Sequence, residues 1–106
     1  MHQNTIRDLL TCQTQGAFLI KLRNTLPKGR RRQQDVADKI SPLVNQAYTK
    51  QWVSNLENDR APLNSAGQLA FVRVFGLNEK LAVRLQLLAG QAAGCLSPEP
   101  AARLAS

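Results

Sequence analysis

Lys50, Gln51, Ser54 and Asn55 fall at helical spacing within the stretch Thr49 to Glu57, and Val53 and Leu56 fall on the other side of the same turns. Apolar anchors on one side leave the four polar side chains pointing outward as a short row. Amides, hydroxyls and ammonium groups are the side-chain types that read base edges and hold phosphates. The row therefore predicts a surface that binds double-stranded DNA with sequence preference. A second feature lies upstream, where Lys21, Arg23, Lys28, Arg30, Arg31 and Arg32 occur with no acid among them. Such a cluster attracts a polyanion and speeds encounter, but carries no sequence information of its own.

The elements that must carry these residues are helical. Thr5 can cap a short helix with Ile6, Leu9 and Leu10 on its apolar side, and Gly16 is expected to separate it from the next helix. From Ala17, the set Phe18, Leu19, Leu22 and Leu26 predicts a first core helix ended by Pro27-Lys28-Gly29. Gln33 to Ile40 forms another, with Val36, Ala37 and Ile40 inward. Pro42 disfavours helical geometry at Ser41, so this helix is expected to stop there and an irregular stretch to run from Ser41 to Tyr48. Thr49 is the expected N-cap of the following helix, with Tyr48 and Val53 at staple positions. Asn58 to Pro62 closes it.

Asn64 or Ser65 then caps a helix carrying Leu69, Ala70, Phe71, Val72, Val74 and Phe75, apolar nearly all round and expected to be buried centrally, with Gly76 as its stop. Asn78 caps the last helix. There Leu81, Leu85 and Leu88 form one apolar stripe while Val83 and Leu87 lie on another side, predicting that one stripe closes the domain and the other meets a second copy. The expected organisation is an N-terminal extension over residues 1–16, a domain over 17–89 and a loose tail over 90–106. The fold class is all-α, a compact bundle of about five helices.

Composition limits the alternatives. The chain has 106 residues, 43% of them hydrophobic, enough for one small core, and a formal net charge of +7. No run approaches the roughly 18 apolar residues of a membrane span, and the start carries Gln3, Asn4, Arg7 and Asp8 instead of a secretory apolar core. A cytoplasmic protein with no membrane partner is expected, associated with the nucleoid when bound to DNA. Cys12 and Cys95 lack neighbours at metal-ligand spacing, and the lone His2 stands beside the first residue. No metal site or cofactor is expected. Paired carboxylates, a nucleophile with a histidine partner and a glycine-rich phosphate loop are all missing from the pattern, which points away from an enzyme.

The order Gln33-x-x-Val36-Ala37, then Thr49-x-x-Trp52-Val53-Ser54-x-Leu56-Glu57-Asn58-x-Arg60-x-Pro62, then Leu69 through Phe75-Gly76-Leu77 resembles the phage-repressor and Cro-like helix-turn-helix family over Ala17 to Ala89. The resemblance implies a lambda-repressor-like DNA-binding domain, working as a homodimeric transcriptional repressor on a partly palindromic operator. It implies that Lys50, Gln51, Ser54 and Asn55 read bases, Gln51 as the candidate for bidentate contact with adenine. Gln33, Thr49 and Arg60, together with Arg30, Arg31 and Arg32 of the enlarged loop, would lie along the DNA backbone. Glu57 would pair structurally with Arg23, and Val83 and Leu87 would lie at the dimer interface. The chain departs from the family in its long Ser41 to Tyr48 connection, in Ala47 where a turn glycine is usual, and in Arg32 where a Ser or Thr cap is typical. Two other classes fit the same features: an antitoxin or antiactivator that silences a protein partner through the last helix, and an RNA-binding protein using the basic loop.

Overall fold

The computed structural model describes residues 3–96, and side chains through residue 94. Among these residues the chain forms helices and no strand: α1 (Gln3–Leu10), α2 (Gln15–Arg23), α3 (Gln33–Val44), α4 (Lys50–Glu57), α5 (Ser65–Phe75) and α6 (Glu79–Leu96). The count is six where about five were expected. One core takes a contribution from every helix, including Leu9 of α1, Phe18 and Leu22 of α2, Ile40 of α3, Leu56 of α4, Phe71 of α5 and Leu85 of α6. α4 packs on α2 and α3, α5 bridges α3 and α6, and α1 lies on α6 and α2.

Several expected boundaries move, each for a physical reason. Leu9 is fully buried, so residues 3–16 of the segment expected as an extension join the core through α1. Gly16 lies inside the first turn of α2, which Thr14 begins by accepting the Ala17 N–H on its hydroxyl at 3.1 Å. Its small size serves a close approach: a Cβ there would stand 2.1 Å from the Glu57 carbonyl oxygen. Of the tail expected over 90–106, residues 90–96 continue α6 through Gly90 and Gly94, and 97–106 lie outside the described residues, as does His2.

α3 does not stop at Ser41. It runs three residues further, to Val44, and ends on Asn45 in left-handed conformation (φ 54°), whose N–H returns to the Ser41 carbonyl. Pro42 lies inside the last turn of α3, where its missing N–H leaves the Asp38 carbonyl without its helical donor. The connection to α4 is then only the five residues 45–49. It is pinned by Ser41, whose hydroxyl donates to the Ala37 carbonyl at 2.7 Å and accepts the Tyr48 N–H at 2.9 Å. Tyr48 stacks on Trp52, ring centroids 3.7 Å apart, and Val53, its expected staple partner, is buried in the core against which Tyr48 packs.

Asn64 caps α5 through the Gly67 N–H, and Asn78 caps α6 through the Leu81 N–H. α5 is not buried all round as expected. Ala70 and Phe71 face inward, but α3 and α6 cover only part of its circumference, and Leu69 stays 65% exposed. On α6 the two stripes divide as their spacing predicts: Leu81, Leu85 and Leu88 are buried, Val83 and Leu87 exposed.

Candidate nucleic-acid interface

Val53 and Leu56 fix which way α4 faces by burying their side chains against α2 and α3. Lys50 and Gln51 are consequently exposed, and Ser54 and Asn55 half-buried along the same row. Gln51 donates from Nε2 to Asn55 Oδ1 at 3.1 Å, one turn along, which aligns two amides edge to edge. Each keeps capacity free, an acceptor and one N–H on Gln51 and both N–H groups on Asn55. Asn58 donates to the Ser54 carbonyl and hydroxyl at 2.8 and 3.2 Å at the C-terminal end of the row. Lys50 makes no ion pair among the described residues.

The first turn of α4 is held from outside. Thr49 occupies the N-cap position but its hydroxyl takes no cap hydrogen bond. In its place Gln34, on α3, accepts the Lys50 backbone N–H on Oε1 at 3.2 Å and donates from Nε2 to Asp38 at 2.8 Å. The spacing of Gln34 and Asp38, four apart on one helix, was the only hint of this in the sequence.

The C-terminal end of α4 is tied more tightly. The Arg23 guanidinium forks onto the Glu57 carboxylate, Nε to Oε2 at 2.7 Å and Nη2 to Oε1 at 3.1 Å. Gln33 adds a third donor, Nε2 to Oε1 at 3.1 Å, so its amide is engaged within the protein at the start of α3. Arg23 Nη1 also donates to the Arg31 carbonyl at 2.6 Å, so one guanidinium fastens both α4 and the basic loop. Beyond Glu57, Asp59 adopts φ 57° and accepts the Gly16 N–H at 2.9 Å, while Gln15, buried on α2, reaches the same loop. Gln15 had no mark in the sequence, because all its partners are more than forty residues away.

The three loop arginines are not equivalent. Arg30 is exposed and makes no side-chain hydrogen bond to a described residue. Arg31 turns its Nε onto the Leu26 carbonyl, closing the loop on itself. Arg32 pairs with Asp35 at 3.2 Å, and the Asp35 carboxylate accepts the Arg32 backbone N–H at 3.0 Å, so the acid, not a Ser or Thr, caps α3. These Arg32 hydrogen bonds hold the Asp35 carboxyl below the usual carboxylate range. The pair is therefore intact at neutral pH and lost only as the pH falls through that lowered value. Arg60 is exposed at the other end of α4 from Lys50, about 12 Å of helix away.

The structure thus brings Lys50, Gln51, Ser54 and Asn55 onto one face of α4 and sets Gln33 at the start of α3, with Arg30 and Arg32 leading into it. It leaves Val83 and Leu87 on α6, a helix that α4 does not use as its support. The described residues hold no cluster of His, Cys, Asp or Glu arranged to bind a metal, and Cys12 is buried, which pushes its thiol up. Among the described residues no helix is long and apolar enough to cross a membrane. Compared with known proteins, the chain matches no family model, no curated protein and no solved structure.

Proposed function

We propose that this chain is a sequence-specific DNA-binding regulator of transcription, a repressor that binds a partly palindromic operator as a homodimer. In this reading α3 and α4 form the helix-turn-helix, α4 lies in the major groove, and Gln51 and Asn55 read bases with Lys50 and Ser54 beside them. Arg30, Arg32 and Arg60 contact phosphates. The observation that carries the reading is the polar face of α4. Four hydrogen-bonding side chains share it, two of them prealigned at 3.1 Å, and the helix is fixed at both ends by residues of α2 and α3. A rigid, polar, outward face beside an acid-free basic loop is what base reading requires and what a merely soluble surface does not.

The test is binding to a duplex from upstream of the protein's own gene against a scrambled duplex of equal composition. A preference of about a hundredfold or more supports the reading. Gln51→Ala and Asn55→Ala should then each reduce it, while replacing Arg30, Arg31 and Arg32 together with alanine should lower the salt-dependence slope by about one for each phosphate no longer neutralised. Equal, salt-sensitive binding to both duplexes favours a second reading, an antitoxin or antiactivator that works on a protein partner. Its support is the exposure of Val83 and Leu87, 58% and 50%. That protein would tolerate Gln51→Ala and Asn55→Ala but fail when Val83 or Leu87 is made charged.

A further inference from the structure

Exposed apolar side chains scattered singly are ordinary, whereas contiguous ones mark a binding surface. Leu43, Leu69, Val83 and Leu87 are each about half exposed or more, and three adjoining concavities link them in one band across three helices. Leu69, the most exposed at 65%, is a ridge on α5 between two grooves. The groove toward the end of α3 is lined by Leu43 and Arg73, the groove toward α6 by Val83 and Glu79. Val83 also borders a third concavity that continues along α6 to Leu87.

The charges on the band are opposites placed on opposite sides of Leu69, and neither Arg73 nor Glu79 has an ion-pair partner among the described residues. A half-turn about an axis at Leu69 exchanges the two sides. A pairing of Arg73 with Glu79 of a second copy would then occur twice, which is the self-complementarity that a two-fold interface demands. With Arg73 balanced by Glu79, the band does not add to the repulsion that a chain of charge +7 meets in pairing with itself. Leu43 lies near the opposite end of α3 from Arg32, about 16 Å along the helix, so the basic loops need not face each other.

We propose that a second copy of this chain docks on this band, Leu69 near the two-fold axis and Arg73 paired with Glu79 of the partner subunit. The inference rests on the dimeric reading above and extends its interface from α6 onto α5 and the last turn of α3. Val83 and Leu87 alone fall short of the roughly 800 Å² per partner that a stable interface buries.

Sedimentation equilibrium of the full chain, without DNA and over a wide concentration series, tests it. The expected result is a dimer that Leu69→Glu converts to a folded monomer, the residue being exposed. Arg73→Glu and Glu79→Arg should each weaken dimerisation about tenfold, since each breaks two pairs and sets like charges together, and the double variant should recover most of the loss. The charge variants carry the test should Leu69→Glu not fold. A parent chain that stays monomeric, a Leu69→Glu dimer of unchanged affinity, single reversals without effect, or a double reversal no better than either single would overturn the proposal. Failure of the DNA reading is separate. It appears as equal binding of operator and scrambled duplex by chains whose masses behave as expected.

Discussion

The buried Gln15 side chain accepts the Leu63 backbone N–H at 2.8 Å, joining the first turn of α2 to the loop that leaves α4. The same amide donates to the carbonyls of Leu56 at 3.1 Å and Ala61 at 2.9 Å, so both of its N–H groups are used. Gln15→Ala strands the Leu63 N–H and the Ala61 carbonyl, while the Leu56 carbonyl keeps the Asp59 N–H at 3.2 Å, and should cost about 2 kcal/mol or more in urea unfolding. Gln15→Glu keeps the shape but turns a carboxylate toward two carbonyl oxygens. Burial raises that carboxyl above its unfolded value, so stability is retained at pH below the unfolded value and lost as the pH rises through the folded one. The Gln15→Glu deficit should accordingly be larger at pH 7 than at pH 4, about where an unperturbed Glu titrates. A deficit independent of pH would mean that the loop opens to solvate the charge.

Gly16 and Gly90 should respond oppositely to the same methyl group. At Gly16 a Cβ meets the Glu57 carbonyl oxygen at 2.1 Å and an Asp59 carboxylate oxygen at 2.9 Å, so Gly16→Ala must push α2 off the end of α4, at a cost of about 1–3 kcal/mol. At Gly90, within α6, a Cβ meets nothing, and Gly90→Ala should stabilise by about 0.5–1 kcal/mol through helix propensity. Thermal unfolding of the two variants decides it. Equal effects would place α2 and α4 further apart than the structure has them.

How much the sequence disclosed depends on how far apart partners lie. Val53 and Leu56 against Gln51 and Asn55 is a pattern within one helix, and the face of α4 was legible from spacing alone. So was the division of α6, where Leu81, Leu85 and Leu88 recur on one stripe and Val83 and Leu87 do not. The Arg23–Glu57 pair spans 34 residues and was reachable only through resemblance to a family, not from either residue's neighbours. Gln15 and Gln34 were missed because a polar side chain that satisfies backbone groups of another element looks like any surface glutamine. Pro42 misled in the other direction. Its bias against helix at Ser41 is a local preference, outweighed by the packing of Val44 on the core and the left-handed stop at Asn45.

The Glu57 carboxylate, 4% exposed, depends on Arg23 and Gln33 together, while the Arg23 side chain keeps 21% of its surface. Removing the two partners should therefore be unequal. Arg23→Ala leaves a buried carboxylate with one amide donor and frees the Arg31 carbonyl of the basic loop. Glu57→Gln leaves a guanidinium that can turn to water and an amide that can still bond Arg23. We expect Arg23→Ala to cost about 2–4 kcal/mol and Glu57→Gln about half of that. Denaturant titration of both, with the double variant closing a cycle, measures the coupling. Arg23→Ala costing less than Glu57→Gln would show that the carboxylate finds water, contrary to its burial. On the proposed DNA-binding reading, Arg23→Ala should also lose DNA binding, through the orientation of α4 and without any contact to DNA.

Gln34 offers the sharpest separation of positioning from contact. Its Oε1 supplies the cap that Thr49 does not, and Asp38 holds the amide in that orientation. Gln34→Ala should free the Lys50 N–H and fray the first turn of α4, at about 0.5–2 kcal/mol of the helix's local stability. Lys50 and Gln51 ride on that turn. If α4 reads bases as proposed, the operator should then be bound about tenfold more weakly, because base reading needs fixed geometry, whereas a scrambled duplex, held by charge alone, should lose less than about twofold. The salt slope should not change, since no cation has been removed. An equal loss on both duplexes would instead place the Gln34 amide on a phosphate. The cap geometry makes that outcome unfavourable, because its acceptor is committed to Lys50 and one of its two N–H groups to Asp38.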